Sequence, residues 1–362
     1  MALELQGVSL RVGAEEHIYP VDLALAEGDF NILLGTTLSG KTSMMRLMAG
    51  LEKPTTGEIL FNGQRVTGQS VQQREVAMVY QQFINYPNFT VFQNIASPLK
   101  LRGMSRSEIE ASVGKVAELL KLTPMLHRLP SELSGGQQQR TALARALVKE
   151  AKLVLLDEPL ANLDYKLREE LREELPKLFR DTGATVVYAT TEPAEALLLG
   201  GQTATLHEGR VTQFGPTSEV YRYPQSVRTA KVFSDPPINI APVKKTADML
   251  ALDQSTQWPV SSAQSALPDG DYTLAIRPHH LTLQADVEQA VPIAGKVLLT
   301  ELTGSESTVH ARIGESTWIS QSHGIHTLEP GNAVQLYLNP QQCFLFDPAG
   351  QLVASSMTGT EI

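Results

Sequence analysis

Gly35-Thr36-Thr37-Leu38-Ser39-Gly40-Lys41-Thr42 follows an apolar run that starts at Asn31 and leads into Thr42 to Ala49, a segment rich in apolar residues that can be helical. The octapeptide fits G-x-x-x-x-G-K-[ST], and its flanks give the strand, loop, helix order that a phosphate loop needs. Backbone N–H groups from Gly35 through Ser43, and the terminus of the helix that follows, can surround phosphate oxygens. Lys41 would reach the outer phosphates, and the Thr42 hydroxyl would ligate Mg²⁺. A second element complements this loop: Leu153-Val154-Leu155-Leu156-Asp157-Glu158, an apolar strand that ends in two acids. Asp157 at the strand exit can hold the magnesium shell, and Glu158 beside it can polarise an attacking water. A strand ending in two acids is common alone; downstream of a phosphate loop it gains meaning.

Around these motifs the chain alternates short apolar runs with helical patterns up to about residue 200, which predicts an α/β domain. Leu153 to Asp157 and Thr185 to Ala189 are continuous apolar strands of the kind found in parallel sheets. Between them Leu163, Leu167, Leu171 and Leu178 recur at helical spacing with charged residues on the other faces, which predicts a crossover helix. A helical insertion interrupts the alternation. Its clearest part is the capping box Ser105-Arg106-Ser107-Glu108 before an apolar stripe of Ile109, Val113, Val116 and Leu120. Gln202 to Gly215 reads as a hairpin turning at Glu208-Gly209. Ser234-Asp235-Pro236-Pro237 reads as a boundary, and the short β-rich segments beyond it predict a small barrel or sandwich. The expected organisation is an α/β domain over 1–235, with a helical subdomain at about 83–150, and an all-β domain over 236–362.

Composition narrows the function classes. The 362 residues carry a formal net charge of -9, but residues 1–240 contribute only -2 and the tail contributes -7. No basic stripe suited to nucleic acid is visible. The single cysteine, Cys343, excludes an intrachain disulfide framework and fits a reducing compartment. No run of about 18 apolar residues is present, and MALELQGVSL lacks the basic and apolar regions of a secretion signal. The expectation is a chain that is neither exported nor membrane-spanning by itself. The tail histidines, His279, His280, His310, His323 and His326, do not form a ligand pattern backed by cysteines. Trp258 and Trp318 are expected in the core.

Leu133-Ser134-Gly135-Gly136-Gln137-Gln138-Gln139-Arg140 narrows the reading furthest. A helix that starts at Ser134 presents a hydroxyl, free N–H groups and the positive end of its dipole to an anion. The segment resembles the signature of ATP-binding cassette ATPases. Gln81 matches that family's glutamine, which senses magnesium and water, and Ala161-Asn162-Leu163-Asp164 matches the loop that crosses its dimer interface. In the tail, Ile276-Arg277-Pro278-His279, Thr300 to Glu306 and Phe344-Leu345-Phe346-Asp347 resemble the OB-like regulatory β domain of carbohydrate-importer ATPases. The resemblance implies a P-loop NTPase fold and a catalytic pair, Glu158 and Gln81. ATP would lie on Gly35 to Ser43 of one chain and on Ser134, Gly135, Gly136 and Gln137 of a second chain, with Mg²⁺ held by Thr42, Gln81 and Asp157. It implies a peripheral subunit on the cytoplasmic face of the cell membrane, working with transmembrane permease subunits, a second ATPase subunit and, indirectly, a solute-binding protein. Phe83 to Leu99 and the helical insertion would receive a coupling helix from the permease. A small carbohydrate or polyol such as glycerol is the implied solute. A nucleotide-sensing regulator or a soluble non-transport ATPase is the alternative.

Three positions depart from the family pattern. Thr191 stands where a histidine contacts the γ-phosphate; a threonine hydroxyl has shorter reach and no imidazole. Leu38 replaces a glycine of the phosphate loop and is expected to crowd the turn. Val12 falls where an aromatic stacks on adenine, with Tyr19 or His17 as possible substitutes. All three affect the half-site built on this chain's own loop, while the signature is intact. That asymmetry favours a heterodimer with a more conventional ATPase.

Overall fold

A computed structural model describes residues 2–82, 84–285 and 287–355. The chain divides between Thr217 and Ser218 into two units. In the first, strands β1 (Leu3–Val12), β2 (Glu15–Leu25) and β3 (Phe30–Gly35) precede helix α1 (Lys41–Ala49), followed by β4 (Thr56–Phe61), β5 (Gln64–Arg65) and β6 (Val76–Val79). Helices α2 (Val91–Leu101), α3 (Arg106–Leu119) and α4 (Gly135–Leu147) come next. The unit continues with β7 (Leu153–Asp157), α5 (Tyr165–Thr182), β8 (Thr185–Thr190), α6 (Pro193–Leu199), β9 (Gln202–His207) and β10 (Arg210–Pro216).

A six-stranded sheet in the order β10-β9-β3-β8-β7-β6 forms the centre, parallel except for β10. Every residue of β3, β7 and β8 is buried, as expected for strands covered on both faces. The phosphate loop leaves the middle of this sheet, where loops at the strand ends can converge on a ligand. A second, antiparallel sheet has the order β2-β1-β4-β5. Met44, Met45, Leu47 and Met48 of α1 share one core with Leu5 and Leu23 of this sheet and Leu33, Leu155 and Val187 of the central one. Burying each such side chain contributes roughly 1.5–3 kcal/mol, so α1 is clamped at the mouth of the loop.

Ser105 caps α3 by accepting from the backbone N–H of Glu108, whose carboxylate returns to Ser105 N. In the crossover helix α5, Leu167 and Leu171 are buried as the spacing predicts, while Leu163 is buried but lies ahead of the N-cap Asp164; Leu175 and Phe179 take the rest of the buried face and Leu178 is half-exposed. The hairpin of β9 and β10 pairs Arg210 with His207 across the Glu208-Gly209 turn. Tyr86 and Phe89 are exposed with ring centroids 5.4 Å apart, so neither is a core aromatic. Phe83 lies outside the described residues.

Helices α7 (Thr217–Arg222) and α8 (Val227–Val232) precede the strands of the second unit: β11 (Asn239–Thr246), β12 (Met249–Ala251), β13 (Gln257–Pro259), β14 (Gly270–Ile276), β15 (Leu281–Thr282) and β16 (Val291–Leu302). β17 (Glu306–Ile313), β18 (Ser316–His323), β19 (Ala333–Leu338), β20 (Phe344–Phe346) and β21 (Leu352–Ser355) complete it. Two antiparallel sheets, β13-β12-β11-β14-β20-β21 and β15-β19-β16-β17-β18, enclose one core that contains both tryptophans. Among the described residues no helix is long and apolar enough to cross a membrane.

One group in this unit has a pH consequence. Burial, then the neighbouring His279 and Arg277, push the His280 imidazole down to about 3. In the unfolded chain it regains its ordinary value of 6.5. Between those values the unfolded state binds the extra proton, so stability is lost as pH falls through that window. The acid-unfolding midpoint followed by tryptophan fluorescence is therefore expected to move to lower pH in His280→Gln, and an unmoved midpoint would reject this assignment.

Candidate functional site

Gly40 caps α1 with φ +103, a backbone conformation that favours glycine, and no side chain caps the helix. The first N–H groups of α1 therefore face the cleft unclaimed. Lys41 is buried, and its Nζ donates to Gly35 O at 2.8 Å and Thr36 O at 3.0 Å, with Glu158 Oε1 3.7 Å away. Burial lowers its pKa from the ordinary lysine value, opposed by the charges of Glu158 and Asp157. Thr42 Oγ1 donates to Asp157 Oδ2 at 2.7 Å. Asp157 is 1% exposed, and burial raises its pKa. Its Oδ1 is buried and has no hydrogen-bond partner. Glu158 adopts φ +47, and its Oε2 accepts from Gln81 Nε2 at 3.0 Å. The structure thus brings the two acids of β7's exit, Gln81 and the Lys41-Thr42 pair together.

Leu38 corrects one expectation. Its φ is +66, the backbone cost foreseen for a non-glycine residue, but its side chain is 95% exposed. The turn projects the leucine outward, so backbone strain of roughly 1–3 kcal/mol remains and crowding does not arise. Thr37 to Ser43, Gln81 and Glu158 line a cleft of ≈ 630 Å³. Tyr19 and His17 line it too, whereas Val12, 51% exposed, does not. Arg210 stacks its guanidinium 3.4 Å from the Tyr19 ring centroid, which occupies one face of that aromatic.

Sequence reading missed Glu15, Glu16 and Glu208, three carboxylates on the cleft wall. They arrive on the β1–β2 and β9–β10 turns, seated by bonds from Gly209 N to Ser39 O (3.0 Å) and from Tyr19 N to Gly209 O (2.9 Å). Nothing local in their sequence marks that placement.

The signature residues lie apart from this cleft, since none of Ser134, Gly135, Gly136 and Gln137 lines it. Ser134 caps α4: its N donates to Gln137 Oε1 at 3.0 Å, while its Oγ accepts from Gln137 N at 3.4 Å. Gly136 is needed for close approach, because a Cβ there would sit 3.2 Å from Asn162 O. The Gln139 amide, nearly fully buried, donates to Pro159 O at 2.7 Å and Glu158 O at 3.3 Å. This ties the signature helix to the turn that carries Glu158.

Thr191 is exposed between two anchored neighbours. Thr190 Oγ1 donates to the buried Glu195 carboxylate at 2.6 Å, as does the Tyr188 hydroxyl at 3.1 Å. Arg172 bonds Glu195, Glu192 and Glu169, and Arg168 joins Glu192 to Ala161 O. The segment that follows β8 is therefore braced against α5 and the 161–164 loop.

A phosphate loop at the centre of a parallel sheet, two acids at the neighbouring strand exit and a separate capped signature helix define an ATP-binding cassette ATPase. The chain belongs to the ABC transporter family: the ABC transporter domain matches residues 18–161 and a TOBE domain matches residues 274–346. It is 36% identical over 348 residues to the sn-glycerol-3-phosphate import ATP-binding protein of Yersinia pestis bv. Antiqua (strain Antiqua), covering 95% of this chain and 97% of that one. The protein of the same name from Escherichia coli (strain K12) is 35% identical over the same length. Among solved structures, the ATP-binding cassette MJ0796, a dimer in a post-hydrolysis state with ADP and Pi, matches 59% of this chain and 98% of its own, with 29% identity and a TM-score of 0.55.

Proposed function

We propose that this chain is the ATP-binding subunit of an importer, coupling ATP binding and hydrolysis to uptake of a small carbohydrate or polyol, glycerol or a close relative. The observation that carries the nucleotide chemistry is the convergence of Lys41, Thr42, Gln81, Asp157 and Glu158. The solute class is supported by relatives named for sn-glycerol-3-phosphate import across nearly their whole length. Residues 1–235 would carry the nucleotide chemistry and 236–362 a regulatory role. The chain would sit at the cytoplasmic face of the cell membrane with permease subunits and a second ATPase subunit, and would depend on a solute-binding protein.

The residues present fit Mg²⁺: the orphaned buried Oδ1 of Asp157 lies on the carboxylate that already holds the Thr42 hydroxyl, and Gln81 reaches the same centre through Glu158. A magnesium ion there would neutralise phosphate charge. On this chain, Lys41 would turn from the loop carbonyls to phosphate oxygens. Glu158, released from Gln81, would orient the attacking water. In the partner's half-site Ser134, Gly135, Gly136 and Gln137 would close over the second ATP.

Thr191, the strained Leu38 and Val12 all weaken the site on this chain's own loop, so we read it as slow, in a heterodimer with a more conventional ATPase. In the reconstituted importer, Thr191→His is expected to raise ATP turnover about a hundredfold, the low end of what a positioned acid–base side chain contributes. Hydrolysis by the isolated wild-type chain at an ordinary transporter rate, with no acceleration in Thr191→His, would overturn the slow-site reading. Failure to co-purify with membrane subunits would overturn the transport reading itself.

A further inference from the structure

The second unit holds a cavity of ≈ 750 Å³ whose lining includes His279, His280, Glu306, Gln321 and Ser322. A volume of that order suits a small molecule. Three separate parts of the chain build it: the turn after β14, the start of β17 and the end of β18. Gln321 Nε2 donates to Glu306 Oε2 at 2.8 Å, and His323 Nδ1 lies 3.7 Å from Glu306 Oε1, so the carboxylate is held in place.

The lining chemistry selects among ligands. It includes no lysine or arginine; Glu306 is its one carboxylate and would repel an anion, and His323 and His326 join His279 and His280 on the wall. Partial desolvation lowers the pKa of half-buried His280 and, although its side chain is still exposed, of His279, which leaves these imidazoles neutral, each with one donor and one acceptor. Among the described residues no set of three His, Cys, Asp or Glu side chains is placed to hold a metal ion. Neutral imidazoles, an amide and a hydrogen-bonded carboxylate match groups that both donate and accept, which is the character of a hydroxyl.

We propose that this cavity binds an uncharged polyhydroxylated small molecule, a polyol or a sugar. The proposal rests on the cavity's own chemistry and does not depend on the transport reading. It can be tested with the full chain carrying ¹³C-labelled histidine, titrated separately with glycerol, sorbitol, maltose, inorganic phosphate and ammonium chloride. At least one of the three neutral compounds is expected to shift the His279 and His280 resonances saturably, leaving His127 and His207 of the other unit unmoved. Gln321→Ala and Glu306→Gln are each expected to weaken that binding about tenfold, as for loss of one hydrogen bond to a bound hydroxyl. Unmoved His127 and His207 resonances and an unchanged tryptophan melting curve would show that these variants remain folded. Saturation by none of the neutral compounds, or by phosphate or ammonium alone, would overturn the proposal. Unaltered affinity in both folded variants would do the same.

Discussion

Lys41→Ala is expected to weaken ATP binding to this chain about a hundredfold while leaving the nucleotide-free fold no less stable. The two halves of that result have opposite origins. Toward ATP, Lys41 is the only lysine or arginine among the described residues of the cleft wall, set among Glu15, Glu16, Glu158 and Glu208. Its loss removes a charge-assisted bond to phosphate, and those carboxylates remain to repel the ligand. In the empty chain the balance differs. Burial lowers the Lys41 pKa, so keeping the ammonium there costs stability that its bonds to Gly35 and Thr36 carbonyls only partly offset. Thr36 is exposed, so water can replace the lysine at its carbonyl, while the bond to the buried Gly35 carbonyl is lost. Equilibrium binding of a fluorescent ATP analogue and thermal melting of the empty chain measure the two halves independently. Full-strength ATP binding, or a large drop in melting temperature, would show that Lys41 acts mainly as a structural strut.

Glu195→Ala should destabilise the first unit by about 3 kcal/mol, the range for removing one partner of a buried ion pair. The carboxylate is 4% exposed and receives Arg172 together with the Tyr188 and Thr190 hydroxyls. Tyr188 is held well above its ordinary pKa, first by burial, so its hydroxyl remains a donor and would lose its acceptor. Arg172 would keep Glu169 and Glu192, which limits the damage at the cation. Glu195→Gln retains an acceptor for the hydroxyls and should lose less. The molecule supplies its own control, because helices α1 to α5 all lie in the first unit and both tryptophans in the second. Denaturant unfolding followed by helical circular dichroism should shift in Glu195→Ala, with tryptophan fluorescence unmoved. An unshifted dichroism midpoint would remove Glu195 from the brace.

The elements that were legible before the structure are those whose physics is local. β7 coincides with the apolar run Leu153 to Asp157, and Ser105 caps α3 through the capping box its spacing announced. The phosphate loop was equally plain because its backbone geometry requires glycine and lysine at fixed offsets. What escaped notice depends on distant chain. Glu15, Glu16 and Glu208 look like ordinary polar turn residues until two hairpins fold against the loop. Leu38 was assigned the correct kind of cost but the wrong place, since only the path of the turn decides whether a side chain points in or out. The brace around Glu195 joins residues from β8, α5 and α6, and its carboxylate on sequence alone reads as one more acid on a helix.

The buried amide of Gln139 has a mechanical consequence. It grips the carbonyls of Glu158 and Pro159, so any displacement of that turn when a nucleotide settles on the phosphate loop must either break bonds sealed from water or drag α4 along. On the proposed reading, α4 would be the helix offered to the partner's nucleotide. A subunit slow on its own ATP would then still keep time for its neighbour, because what Gln139 would transmit is occupancy, and occupancy does not require cleavage.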